Sequence, residues 1–283
     1  MKVLITGANG QVGSELVSRF AVNGNHDVIA TTRENLDLGD RDSVMSAITT
    51  LHPDAVVHAG AYTAVDACES EQDTAYRINA LGTRHVADAA RRVGAPVCYL
   101  STDYVFDGTL DRPYNEWDAP NPASVYGRSK LGGEMELNDG DTIVRTSWIF
   151  GRHGANMVKT VLRLLGSHPQ LSFVDDQHGK PTCAEDLAAA VYALVTSRLT
   201  GTYHVTNEGA TTWFGFVRDV VAAAGEDPER VRPISTDELV PPRPAPRPEN
   251  SVLDNAAWRL TGLPPLAHYR EPLERVVKEL RDA

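Results

Sequence analysis

A doubly wound α/β fold, one parallel sheet covered on both faces with a smaller C-terminal lobe, is what this sequence predicts. Three observations carry the expectation. An apolar strand, Lys2-Val-Leu-Ile-Thr6, runs straight into Gly7-Ala-Asn-Gly-Gln-Val-Gly13 and then a helix. Short apolar strands alternate with helical stretches through the first half of the chain, the pattern of a parallel sheet between two helical layers. Small or hydroxyl-bearing residues, Gly7, Gly60, Ser101 and Ser147, fall where those strands end, the edge at which such sheets bind ligands.

In order, the first strand leads to a helix from about Val12 to Phe20. In that context Gly7 permits the tight turn, Gly10 lets the backbone approach a pyrophosphate, and Gly13 lets the helix pack closely on the strand. The helix's free N–H groups then face the anion. The following strands are His26–Ala30, Ala55–Ala59, Val97–Leu100 and Thr142–Arg145, with helices Asp42–Leu51, Ala75–Val93 and Tyr126–Leu137 between them. The third strand continues into Ala59-Gly-Ala-Tyr-Thr63, small residues that a cofactor could pass closely.

Beyond Gly151 the rhythm changes. The sequence predicts a helix over Asn156–Leu165, a strand over Leu171–Val174 and a loop over Asp175–Pro181. A helix over Ala184–Thr196, a strand over Gly201–Val205 and a final amphipathic helix over Arg270–Leu280 follow. We divide the chain into a dinucleotide-binding domain over 1–150, with a return segment near 183–206, and a mainly substrate-binding lobe over 151–283. The run Val240-Pro-Pro-Arg-Pro-Ala-Pro-Arg-Pro248 excludes helix and should be extended. It reads either as a solvated linker or as a rigid loop presenting Arg243 or Arg247 to an anion.

The chain of 283 residues is long enough for a substantial core, and its composition, 42% hydrophobic and 23% charged, is that of a globular enzyme. A net charge of -11 argues against a nucleic-acid partner, which needs a basic face. No apolar run is long enough to span a bilayer, and a strand begins almost at the first residue, where a signal peptide would lie. The three cysteines, Cys68, Cys98 and Cys183, lack metal-ligand spacing and read as reduced thilos buried in a cytoplasmic protein.

The chemistry centres on Tyr126-Gly-Arg-Ser-Lys130, which sets a phenol and an ammonium on one helix face. A free tyrosine titrates too high for acid–base work at neutral pH, and a nearby ammonium favours its phenolate. Bringing the phenol to about 7 requires roughly 4 kcal/mol of differential stabilisation. A hydroxyl must also hold the substrate carbonyl; the tip of the fourth strand, Ser101-Thr-Asp-Tyr-Val-Phe106, offers Ser101 and Thr102. At the tip of the second strand, Thr31-Thr-Arg-Glu34 offers Arg33 for a 2′-phosphate beside an acid suited to a 2′-hydroxyl, so NADPH and NADH both stand.

With these runs in hand, the chain resembles the extended short-chain dehydrogenase/reductases, and within them the dTDP-4-dehydrorhamnose reductase family. Besides the glycine run and Val125-Tyr-Gly-Arg-Ser-Lys130, the matching segments are Ala61-Tyr-Thr-Ala-Val-Asp66, Ser101–Phe106, Arg145-Thr-Ser-Trp148, Asp176-Gln-His-Gly-Lys-Pro-Thr182, Thr211-Thr-Trp213 and Arg247-Pro-Glu-Asn-Ser251. The resemblance implies reduction of the C4 ketone of a dTDP-4-dehydro-6-deoxyhexose by NADPH or NADH, in the usual member giving dTDP-L-rhamnose. It implies Tyr126 as proton donor, Lys130 on the nicotinamide ribose, and Thr102 on the sugar oxygen. Gly10, Gln11 and Val12 would meet the pyrophosphate, Ala61, Tyr62 and Thr63 the adjoining ribose and phosphate, and Asp37 and Leu38 the adenosine end. Trp148 would lie against the sugar, with Asp103, Tyr104, Asn156, Gln177, Lys180 and Arg247 as further substrate contacts. Some members are magnesium-dependent homodimers; Glu15, Glu185 and Glu279 match their subunit-contact glutamates, although each reads here as an ordinary helix-surface carboxylate.

Three rivals accompany this reading. A 4,6-dehydratase carries aspartate then glutamate after the threonine, whereas this chain has Thr102-Asp103-Tyr104. A regulatory subunit of methionine adenosyltransferase resembles the same family and binds NADP, but the intact Thr102, Tyr126 and Lys130 set favours an enzyme. A related reductase of a different dTDP-4-keto sugar differs only in the pocket.

Overall fold

The computed structural model describes residues 1–22 and 26–282. Its centre is a six-stranded parallel sheet built from β1 (Lys2–Thr6), β2 (Asp27–Thr31), β3 (Ala55–His58), β4 (Val97–Thr102), β5 (Thr142–Thr146) and, later in the chain, β10 (Gly201–His204). The strand order is β10-β5-β4-β3-β1-β2. The chain steps outward from β1 to β2, then crosses back to β3 on the other side of β1. That reversal opens a crevice between β1 and β3 at their carboxyl ends, where Gly7 and Gly60 sit.

Helices cover both faces, which explains why the strands read as unbroken apolar runs. On one face α1 (Gln11–Val22) packs beside α8 (Ala184–Thr196), burying Leu16, Phe20, Leu187 and Val191 against Val3, Ile5 and Val144. On the other, α2 (Arg41–Leu51) and α5 (Gly82–Val93) bury Val44, Ile48, Val86 and Ala90 against Leu4, Val56 and Tyr99. The sequence predicts one uninterrupted helix from Ala75 to Val93; the structure instead has α3 (Val65–Ser70), α4 (Gln72–Tyr76), a π-helical turn over Arg77–Leu81, and only then α5. The wide turn buries Asn79, at 1% exposure, in the middle of the molecule. Such turns favour functional sites.

Beyond the helix α6 (Val125–Glu134) and β5, a second core gathers β6 (Ile149–Phe150), α7 (Met157–Leu165), β7 (Leu171–Val174), β9 (Thr182–Cys183), α9 (Trp213–Ala223), β12 (Val231–Ile234) and α11 (Arg270–Asp282). Phe150, Val161, Phe216, Val220, Leu273 and Val277 are fully buried or nearly so there. Two short ribbons frame it: β6 runs parallel with β9, and β8 (His178–Gly179) pairs antiparallel with β11 (Thr211–Thr212). The small helix α10 (Ala256–Leu260) lends Trp258 to the edge of the main sheet. Among the described residues, no helix is long and apolar enough to cross a membrane.

Candidate functional site

The glycine turn is dictated by backbone contact. Gly7 has φ +66°, and a Cβ on it would sit 2.7 Å from Gly60 Cα. A Cβ on Gly13 would lie 2.0 Å from the Gly7 carbonyl oxygen, so only glycine lets α1 start this close to β1. Gly10 differs: a Cβ there would meet only the Gly7 oxygen, at 3.2 Å, so its bareness leaves the turn open to a ligand. Gln11 stands at the start of α1 with its Oε1 buried and without a partner, while Val12 is in the core. These features fit a dinucleotide pyrophosphate lying on the α1 N-terminus.

Across the crevice, a buried polar chain fixes the third strand's tip. The Gly60 amide donates to Thr6 Oγ1 at 3.1 Å, and the Thr6 hydroxyl lies 2.7 Å from His58 Nδ1. His58 Nε2 is 3.2 Å from Thr83 Oγ1, and the Thr83 hydroxyl donates to the Asn79 carbonyl at 2.7 Å. Burial, and secondly the charge of Lys130, push His58 down to about 3. It is therefore a neutral spacer, and every link is satisfied when Nε2 carries the proton. Asn79 closes the circuit: its Oδ1 accepts from the Tyr62 amide at 2.7 Å, and its Nδ2 donates to the Tyr62 carbonyl at 3.0 Å and to Ser129 Oγ at 2.9 Å. The Ser129 hydroxyl in turn donates to the Tyr126 carbonyl at 2.8 Å. Sequence reading missed His58, Asn79 and Ser129; the only signal was a histidine inside an otherwise apolar strand, Ala55-Val-Val-His58.

The remaining coenzyme-side residues line the same rim. Leu38 is buried below Gly60, where a Cβ would meet its Cδ1 at 2.8 Å. Arg33 is exposed just past β2, and Tyr62 donates to Glu71 at 2.9 Å, a bond that holds its phenol above the ordinary value, opposed by Arg33. Ala61 is partly buried and Thr63 exposed. Asp37 accepts from the Gly39 amide at 2.9 Å and faces Arg77 at 3.9 Å.

Thr102 ends β4, and Tyr126 and Lys130 stand on α6, whose start is capped by Ser124 and by Glu69 accepting from the Val125 amide at 2.8 Å. Lys130 donates to the Leu100 carbonyl at 2.6 Å and lies 4.0 Å over the Tyr99 ring. Burial lowers it to about 7, opposed by Glu134. Burial first, then the Asp103 carboxylate, hold Tyr126 above its ordinary value, opposed by the Thr102 hydroxyl. The Lys130 ammonium is turned to the strand backbone.

The Thr102 hydroxyl donates to Asp103 Oδ1 at 3.0 Å and accepts from the Tyr104 amide at 3.2 Å. Asp103 is 2% exposed, its Oδ2 is unpartnered, and burial raises it to about 6. Tyr104 meets Tyr126 edge-on at 5.7 Å and is pushed up to about 12, chiefly by burial. Ser101, the alternative hydroxyl, is bound elsewhere. It donates at 2.5 Å to Glu134, itself locked in a buried fork with Arg145 at 2.7 and 3.0 Å.

The expected sugar-side residues divide. Trp148, two residues beyond β5, has a left-handed backbone (φ 46°) and stacks on Trp213 at 3.9 Å. The proline run is no loose linker: Ala245 is buried, and Arg247 grips Asp66 with two bonds at 2.5 and 2.9 Å, with Arg243 at 3.4 Å. Arg247 is therefore already engaged. Lys180 faces Glu208 at 3.2 Å, and Gln177 donates to Thr236 at 2.9 Å. Both ends of the Asn156 amide are held by backbone, Oδ1 by the Lys159 amide at 3.1 Å and Nδ2 by the Gly151 carbonyl at 2.9 Å. It caps α7.

The glutamates that the resemblance points to face basic side chains of the same chain. Glu15 faces Arg152 at 2.9 Å and His153 at 3.6 Å, Glu279 faces Arg152 at 3.8 Å, and Glu185 faces Arg275 at 2.9 Å. No group of three metal-ligating side chains occurs among the described residues.

The family model described as "RmlD substrate binding domain" matches residues 1–282. A dTDP-4-dehydrorhamnose reductase of Streptomyces griseus is 44% identical over 279 residues, covering 95% of this chain and 91% of that one. The crystal structure of a dTDP-4-dehydrorhamnose reductase of Clostridium acetobutylicum superposes with a TM-score of 0.95 at 40% identity, covering 99% of this chain and 100% of that one. That of the Bacillus anthracis dTDP-4-dehydrorhamnose reductase, in complex with NADP, gives 0.92 at 39% identity, covering 98% and 99%. The chain belongs to the dTDP-4-dehydrorhamnose reductase family.

Proposed function

We infer that this protein reduces the C4 ketone of a dTDP-4-dehydro-6-deoxyhexose, dTDP-4-dehydro-L-rhamnose in the first instance, with NADPH. The observation that supports the reading is Thr102 at the end of β4 bonded to Tyr126, with Lys130 one turn on along α6, while the Gly7–Gly13 turn follows β1 at the same carboxyl edge of the sheet. When bound, the nicotinamide coenzyme supplies the hydride. Lys130, fixed on the Leu100 carbonyl below the pocket, holds the ribose. Tyr126 donates its phenolic proton to the sugar oxygen as negative charge develops there. A phenol held above its ordinary value stays protonated at neutral pH and so carries the proton that the developing oxyanion takes. Thr102 orients the same oxygen. Arg33, exposed at the rim near Tyr62, suits the 2′-phosphate of NADPH. Three free, buried thiols suit a reducing cytoplasm.

The test is loss of reduced-nicotinamide absorbance with dTDP-4-dehydro-6-deoxyglucose, with and without a 3,5-epimerase. Tyr126→Phe should lower kcat by about 10²–10⁴-fold while NADPH affinity stays near wild type. Wild-type turnover in that variant would exclude Tyr126 as the acid.

A further inference from the structure

Trp148 is a bulky side chain on a left-handed backbone, φ 46°, a conformation that persists only where its surroundings enforce it. The enforcing contacts come from segments distant in sequence. The Ser147 hydroxyl donates to the Lys180 carbonyl at 2.6 Å, and the Thr182 amide donates to the Trp148 carbonyl at 3.2 Å, so both sides of the residue are tied to the 178–183 stretch. Within that stretch Gly179 packs directly on the indole. A Cβ at Gly179 would come within 2.5 Å of Cε2, 2.7 Å of Cζ2 and 2.8 Å of Nε1. Gly179 pairs with Thr211 in the β8–β11 ribbon, and Thr212 caps α9 by accepting from the Gly215 amide at 3.0 Å. The next residue is Trp213, whose ring stacks on Trp148 at 3.9 Å with the planes 10° apart. Trp213 is itself anchored in the second core, 6.2 Å from Phe216.

We propose that Trp213 and Gly179 are positioning residues that lock the Trp148 indole as the wall of the sugar pocket. This rests on the reading above, in which Trp148 meets the hexose. Thr146, two residues earlier, is level with Thr102, so a locked indole extends the edge where the ketone must lie. Trp213 reaches the sugar only through Trp148. Loosening it widens the pocket and leaves the coenzyme turn untouched.

The experiment compares wild type with Trp213→Ala, Trp213→Phe, Gly179→Ala and the Trp148→Ala/Trp213→Ala pair, all as full-length protein. Trp213→Ala should raise KM for the keto-sugar about tenfold, with kcat falling less than about threefold and NADPH affinity within about twofold of wild type. Trp213→Phe keeps an aromatic face and should recover most of that loss. Gly179→Ala pushes the ring aside and should give the same KM-weighted defect. The pair should be no worse than Trp148→Ala alone. An unchanged KM in Trp213→Ala, or losses that multiply in the pair, overturns the proposal; if Trp213→Ala fails to fold, the Trp213→Phe and Gly179→Ala arms decide. The Trp148 indole N–H resonance, assigned with Trp148→Phe, should move in Trp213→Ala and Gly179→Ala, and a resonance unmoved by both also overturns it. That readout needs no turnover, so wild type inactive on every keto-sugar would sink the proposed reaction while the resonance still decides the positioning.

Discussion

The coenzyme side and the sugar side of this site are built on opposite plans. The coenzyme side is backbone held against backbone: Gly7 and Gly13 are required because peptide atoms occupy the space a Cβ would take. The sugar side is side chain held against side chain across the chain, as in Trp148 on Trp213, or Arg247 on Asp66 at a separation of 181 residues. A backbone cradle tolerates almost no substitution at its contact points, whereas a side-chain wall can be re-cut one residue at a time while the cradle stays intact. This lets one fold keep a common coenzyme while its sugar pocket varies.

The sharpest way to break that contrast is Gly13→Ala. Its methyl would overlap the Gly7 oxygen, so α1 must move off β1 and the turn must open. NADPH affinity should fall at least about 100-fold and thermal stability should drop by several kcal/mol, about 3 or more. Gly10→Ala meets only one atom at 3.2 Å and should keep the fold while weakening the coenzyme. Calorimetric titration with NADPH, alongside thermal unfolding, separates the two; equal behaviour would mean that the turn is not set by backbone contact.

A smaller effect tests the boundary between the two halves, at Asp103. Its carboxyl is raised from 3.8 to about 6 in the folded chain by burial. Between those values the folded state holds the proton that the unfolded state releases, so this group's contribution falls as pH rises and its full cost, about 3 kcal/mol, stands above the upper value. Asp103→Asn should therefore gain stability relative to wild type as pH is raised through that window, and lose the advantage below it. Denaturant unfolding on both sides of the window reads the difference; parallel curves would show that Asp103 is not a buried acid. Because Asp103 accepts from Thr102, the same substitution should also change the pH profile of kcat/KM near 6.

Legibility follows the same division. The strand-turn-helix of Lys2–Val22 and the Tyr126–Lys130 spacing are local, and each stands in the structure where the periodicity and the glycines place it. Strand β7 and helix α8 match the expected bounds because apolar alternation and helix period are also local signals. The π-helical turn that buries Asn79 has no local signature: Arg77-Ile-Asn-Ala-Leu81 reads as ordinary helix, and the Asn79 side chain it turns inward finds its partner in Tyr62, 17 residues away. Likewise nothing in Ser101 or Thr102 alone says which hydroxyl is bound to a buried ion pair. Glu134, 33 residues away, settles that by binding Ser101.

Asn156 supplies the mildest test. Its position just before an amphipathic helix marks an N-cap as much as a ligand contact, and backbone holds both ends of its amide: Lys159 N–H on Oδ1, Gly151 C=O on Nδ2. Asn156→Ala should therefore cost about 1 kcal/mol of unfolding free energy, the usual weight of a lost cap. Asn156→Asp keeps the acceptor and should retain most of the stability. Neither should move KM for the keto-sugar by more than about twofold, because a cap acts on the helix as a whole. A KM defect in Asn156→Ala without loss of stability would reverse the assignment, returning this residue to the pocket and making the sugar side wider than the stacked indoles alone define.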